Sequence, residues 1–194
     1  LTDGHRAKVE EKPEVRKAGG VFYTPTFIVE YIVINTLGKL LIGLTPKEAA
    51  RLKIVDPACG SGTFLLGAFA YLLAWHLKWY ADAENNPEKW VKSKALVKVG
   101  EDDYRLTTSK KKEILLNNIY GVDIDPQAVE VTKLSLLLKV LENASGQLEL
   151  GMERVLPDLG NNIKCGNSLV GEDYFEGKLM VDDEERARVN PFDW

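Results

Sequence analysis

Cysteine and histidine are scarce in this sequence, and each shortage removes a class of function. The two cysteines, Cys59 and Cys165, make neither a Cys-x-x-Cys pair nor a disulfide framework. That usage suits a reducing compartment and predicts a cytoplasmic protein. The two histidines, His5 and His76, are isolated, so a zinc site is not expected. No apolar run reaches the length of about 18 residues that a membrane span requires, and no signal peptide is recognisable. A soluble protein without a membrane partner is therefore expected. An excess of positive charge is lacking too, with 25 Lys and Arg against 29 Asp and Glu and a net charge of −4. A grip on nucleic acid, if the protein has one, has to come from outside a general basic surface. What is present is a 194-residue chain, 45% hydrophobic and 28% charged, long enough for one sizeable core. Its first residue is Leu1 rather than Met, which suggests a piece of something longer.

The most informative stretch is Ile54-Val55-Asp56-Pro57-Ala58-Cys59-Gly60-Ser61-Gly62-Thr63-Phe64-Leu65-Leu66. It reads as a short buried strand, a glycine turn and the start of an apolar helix, the ligand-binding corner of a doubly wound α/β sheet. Gly60 and Gly62 permit unusual dihedrals and a close approach of a ligand to the backbone. A dinucleotide fingerprint fails because Leu65 stands where the third glycine or alanine belongs, and a phosphate-binding loop fails for want of a lysine. S-adenosylmethionine (SAM), a sulfonium cation without phosphates, remains as a candidate ligand, with Asp56 as a sensible carboxylate at the strand end. An ordinary strand-to-helix turn also fits the stretch taken alone.

Around that corner the chain falls into order. Residues 1–20 are charged, end in Gly19-Gly20 and read as a linker or lead-in; residues 21–194 form the main unit. Thr24 is placed as an N-cap and Pro25 as the first residue of a helix that buries Phe27, Ile28, Tyr31, Ile32 and Asn35. Thr45-Pro46-Lys47-Glu48 starts a second helix, and a strand runs from Leu52 to Val55. A long helix over Thr63–Tyr80 carries His76 on its wide apolar face, as a boundary residue rather than a ligand. Residues 81–112 read as an insertion with some helix and a small hairpin, closing on a solvated Lys110-Lys111-Lys112 run. A strand ends at Asp123, and Asp125 caps a helix that opens on Pro126. A carboxylate at that strand tip can accept both ribose hydroxyls of a nucleoside, although it lies much farther along the chain than the usual spacing of about 20 residues. Ile163 to Leu169 reads as a third strand with a polar tip, where the Asn167 carbonyl can take the exocyclic amine of an adenine. A helix is expected at Asp182–Arg188.

Four stretches together, Tyr23-Thr24-Pro25, Asp56 to Gly62, Gly121-Val122-Asp123-Ile124-Asp125-Pro126 and Cys165-Gly166-Asn167-Ser168-Leu169, resemble N6-adenine DNA methyltransferases. The resemblance is to the modification part of type IIG restriction–modification enzymes and to their phage-defence relatives, and it covers residues 19–170 in the family's order. It implies a Rossmann-like SAM-dependent methyltransferase fold, truncated after its third strand, with a helical N-terminal lead-in. It also implies that Thr24 holds the methionine carboxylate of SAM. Asp56, Ala58, Cys59 and Gly60, with Gly62 completing the turn, would line the methionine and ribose end. Asp123 would bind the ribose hydroxyls, Ile124 would pack on the adenine ring, and Asn167, where many relatives carry aspartate, would contact its edge.

The family's catalytic motif, Asn or Asp followed by Pro-Pro-Tyr or Pro-Pro-Phe, is not in the sequence. Asn190-Pro191-Phe192 has a single proline and follows a charged stretch rather than a buried strand, so no residue is assigned to catalysis. The function expected is thus the SAM-binding part of a DNA adenine methyltransferase, with DNA as the partner of the parts outside this chain. A methyltransferase acting on RNA or protein and a non-catalytic SAM-binding module are the rivals. Losing the neighbour of the first strand also predicts self-association through the exposed sheet edge, or a fold-back of residues 171–194 over it.

Overall fold

The computed structural model describes residues 24–101, 103–143, 156–176 and 182–192. Residues 1–20, the linker of the sequence reading, lie outside them. The sheet at the centre has three parallel strands, β1 (Ile54–Asp56), β4 (Ile119–Asp123) and β5 (Ile163–Cys165). They lie side by side in the order β1-β4-β5, with Ile54 opposite Ile119 and Gly121 opposite Ile163. The chain leaves β1 into α4 (Thr63–Ala81) and leaves β4 into α7 (Pro126–Leu141). These two helices pack on each other and on the sheet. Leu65, Phe69 and Leu72 of α4, Leu136 and Val140 of α7, and Ile119 and Ile163 of the strands make the buried centre.

Local signals set most boundaries. Asp125 accepts the Gln127 N–H and Pro126 opens α7, as an N-cap followed by proline dictates. Thr45 and Glu48 form a reciprocal capping box at α3 (Pro46–Ala49). Between α4 and β4 the chain makes α5 (Pro87–Lys92), an antiparallel hairpin of β2 (Leu96–Lys98) and β3 (Tyr104–Leu106), and α6 (Thr108–Asn118). Near the end, α8 spans Asp183–Val189. Among the described residues no helix is long and apolar enough to cross a membrane.

Several expectations are corrected. Before β1 come α1 (Thr26–Asn35) and α2 (Leu37–Leu40), and Pro25, not Thr24, occupies the N-cap of α1. The face of α1 that goes inward carries Val29 and Val33, continued by Leu37, while Phe27 and Tyr31 stay 68% and 67% exposed. The helix is mostly apolar, with Glu30 its one charge, so its partner decides which of its apolar sides is buried: α4 presents Gly67 there, and a Cβ on Gly67 would run into Cγ1 of Val29. His76 is no boundary residue; it is 3% exposed, set against Trp75 and Tyr80. Lys111 is not solvated either. Its stem is buried and its Nζ donates to the carbonyls of Val140 (3.4 Å) and Glu142 (2.5 Å), the free acceptors at the end of α7. Residues 190–192 do not cover β1, since Pro191 bridges to Asn167 beyond β5, at the opposite side of the sheet.

Candidate functional site

The three loops that follow β1, β4 and β5 meet at the carboxyl ends of the parallel strands, the end where open α/β sheets bind ligands. Backbone bonds lock them together. The Cys59 N–H donates to the Val122 carbonyl at 2.9 Å, and the Gly166 N–H donates to the Asp123 carbonyl at 2.9 Å. The Ser168 hydroxyl reaches the Pro57 carbonyl at 2.6 Å, tying the third loop to the first. At the centre, the Asp123 carboxylate accepts the Gly60 N–H on Oδ2 (2.7 Å) and the Asp125 N–H on Oδ1 (2.9 Å). A carboxylate offers about four acceptor positions, so roughly half of its capacity remains.

The turn needs its glycines. Gly60 has φ 52° and Gly62 φ 81°, both in the left-handed region. Among the described residues a Cβ on Gly60 would meet nothing within 4 Å, so they leave open space beside the turn. A Cβ on Gly62 would lie 2.7 Å from Cγ2 of Thr132, so that glycine serves helix packing instead. Gly121 in β4 lets Leu65 and Cys59 sit directly on the strand, since its Cβ would come within 2.7 Å and 3.2 Å of them.

Electrostatically the site is acidic. Burial raises the Asp56 carboxyl above its usual range and the Asp123 charge adds to this, while the Ala58 N–H on Oδ1 (3.1 Å) opposes it. Burial, followed by the charges of Asp123 and Asp56, pushes the Cys59 thiol up to about 12. Such a thiol is neutral at physiological pH and is no nucleophile. Two carboxylates beside a neutral thiol favour a ligand that carries positive charge. Among the described residues no group of His, Cys, Asp and Glu could hold a metal ion.

Of the residues singled out from sequence, Asp56, Ala58, Cys59, Gly60, Gly62 and Asp123 come together, and Ile124 stands beside them with its side chain exposed. Asn167 joins them through its loop; its Oδ1 accepts the Leu169 N–H at 3.1 Å and keeps one lone pair. Thr24 is half-buried at the entry to α1. Phe192 is buried against Gly166 with Lys164 over its ring, and the Asn190 carbonyl accepts the Asn167 N–H, so Asn190-Pro191-Phe192 serves as a strut for the third loop. Sequence reasoning passed over two residues that build the site, Ser168 and Thr132. Thr132 had one visible signal, a hydroxyl on the inner, apolar face of α7.

Comparison with known proteins follows the same lines. A family described as "MmeI, DNA-methyltransferase domain" matches residues 38–177. The type II restriction enzyme and methyltransferase RM.Eco57I of Escherichia coli is 35% identical over 173 residues, covering 89% of this chain and 16% of that protein. A putative type II restriction enzyme and methyltransferase of Methanocaldococcus jannaschii, RM.MjaORFECS2P, is 39% identical over 193 residues, with 80% and 15% covered. The adenine-specific methyltransferase PglX of Streptomyces coelicolor is 28% identical over 170 residues, with 88% and 12% covered. The chain thus spans about a sixth or less of the length of these relatives.

Proposed function

The chain belongs to the DNA-methyltransferase family of the MmeI domain, and from that premise we propose that it is the SAM-binding portion of an adenine-N6 DNA methyltransferase within a longer restriction–modification or phage-defence protein. The observation that carries this reading is the joint between the glycine turn and the β4 carboxylate, Gly60 N–H on Asp123 Oδ2 at 2.7 Å. It sets a partly unsatisfied carboxylate beside open space at the carboxyl edge of a parallel sheet. On this reading the fold is Rossmann-like and its sheet continues in the parent protein.

The residues present suit such a cofactor. SAM, when bound, supplies an electrophilic methyl group on a sulfonium sulfur. The chain's own part is to bind and orient. Asp123 offers its remaining acceptor positions to two hydroxyls of a ribose, and the exposed Ile124 side chain gives a purine an apolar face. Asn167 has an oxygen lone pair for an exocyclic amine. Asp56 and Asp123 supply the negative field that a sulfonium and an ammonium require, and the open side of Gly60 admits the ligand to the backbone. Thr24 is assigned to the carboxylate end of the methionine. The groups that orient the target amine and grip the DNA belong to the rest of the parent.

Isothermal titration of the chain with SAM tests the reading, together with a radiolabelled methyl-transfer assay on adenine-containing duplex DNA. Saturable binding without transfer is expected. No binding at all sinks the cofactor assignment, and transfer by the chain alone sinks the division of labour.

A further inference from the structure

Thr132 is fully buried in α7, in a row whose other inward residues are Val129, Leu136 and Val140. A threonine inside a helix commonly turns its hydroxyl to the carbonyl one turn back. This one reaches out of its helix and donates to the Gly60 carbonyl at 2.8 Å, 72 residues away in sequence. Its Cγ2 and Oγ1 also lie 2.7 Å and 2.8 Å from where a Gly62 Cβ would stand. One side chain thus braces the turn at Gly60 and at Gly62.

Gly60 is held from both ends. Its carbonyl is on Thr132 and its N–H is on Asp123. With φ at 52° the residue has no side chain to fix it, and a glycine left to itself samples both signs of φ. We propose that Thr132 is a positioning residue of the cofactor site: by holding the Gly60 carbonyl it keeps the Gly60 N–H on Asp123 and the Asp123 carboxylate aimed into the site. The inference rests on the SAM reading for its consequence in affinity, and on this chain alone for its effect on the turn. No contact between Thr132 and a ligand is implied.

Two variants separate the hydroxyl from the bulk. Thr132→Val keeps the shape and removes the donor, whereas Thr132→Ser keeps the donor and removes the methyl. In the 194-residue chain, hydrogen exchange of the Gly60 amide is followed by NMR without ligand, and SAM affinity is measured by titration. Thr132→Val is expected to speed Gly60 exchange and to weaken SAM about three- to tenfold, the scale of one neutral hydrogen bond. Thr132→Ser is expected to restore both readouts towards wild type even where its melting temperature falls. An unchanged Gly60 exchange rate in Thr132→Val overturns the proposal. So does a pair of variants whose affinities follow their melting temperatures and not the hydroxyl. If wild type itself does not bind SAM, the cofactor reading fails, and the Gly60 exchange rates still decide whether Thr132 holds the turn.

Discussion

The backbone N–H of Gly60 donates to Oδ2 of Asp123 at 2.7 Å, joining the turn after β1 to the tip of β4 across a sequence separation of 63. Because the bond is charge-assisted, it is shorter and stronger than a bond between neutral groups. It also makes the two sequence stretches one unit, so that a change at Asp123 disturbs the glycine turn as well as the carboxylate.

Asp123→Ala is therefore expected to lower SAM affinity by about tenfold or more, since losing bonds to a charged group costs roughly 1.5–3 kcal/mol. Asp123→Asn keeps an acceptor for the Gly60 N–H and should lose less. Calorimetric titration reads both, and equal affinities for wild type and Asp123→Ala would remove Asp123 from the site.

Asp56 supplies a dependence on pH. Burial raises its carboxyl in the folded chain, so the folded state binds a proton more readily than the unfolded one. Its effect on stability is thus favourable at low pH and is lost as pH rises through the carboxylate range. Asp56→Asn, which can still accept the Ala58 N–H, should melt higher than wild type at neutral pH and bind cationic SAM more weakly. Wild-type affinity for SAM should itself fall as the pH is lowered into the raised range. A variant that gains no stability, or binds as well as wild type, would refute the assignment of a buried charge there.

His76 works in the opposite sense. Both ring nitrogens are buried without a hydrogen-bond partner among the described residues, and burial, helped by the Lys110 charge, lowers its pKa from 6.5 to about 4. Between those values the unfolded state takes up more protons, so stability is lost as pH falls from 6.5 towards 4. The full effect is about 3 kcal/mol at 1.36 kcal/mol per unit. His76→Phe should flatten the acid limb of the stability curve measured by urea denaturation. Parallel curves for the two proteins would show that His76 is protonated at no such cost.

What the sequence made legible depended on whether the signal was local. The helix start at Thr45-Pro46, the Asp125-Pro126 helix start and the glycine turn all act within a few residues, and each appears where it was read. The inward side of α1 was illegible because Phe27, Ile28, Val29, Tyr31, Ile32 and Val33 put apolar residues on several sides of it with Glu30 as the only charge, and the choice belongs to Gly67 on another helix. Lys111 looked like one of three solvated lysines; only the position of the end of α7 reveals what its ammonium caps. Thr132 was missed for the same reason, since its partner lies on a loop 72 residues distant.

Gly67 offers a direct check on α1. Any side chain there displaces Val29, so Gly67→Leu should cost about 1–3 kcal/mol through overpacking and loosen α1 from α4. Limited proteolysis within Thr26–Asn35 should quicken alongside a lower denaturation midpoint. Wild-type behaviour in both measurements would mean that α1 does not seat through Val29 on Gly67.

The remaining prediction concerns β1. Among the described residues it pairs only with β4, and Val55, in the middle of a parallel strand, is 43% exposed. Parallel strands are normally buried on both faces, and an unpaired strand edge carries free N–H and C=O groups that recruit another chain. Residues 190–192 cannot serve, being held at Asn167 and Val170 on the far side of β5. The isolated chain is therefore expected to self-associate, seen in sedimentation velocity as a mean mass that grows with concentration. Val55→Lys places a charge on the strand and should shift the chain to monomer, while SAM affinity stays at its wild-type value because the glycine turn is untouched. Wild type that remains a single monomeric species at every concentration would mean that this edge is already covered within one chain.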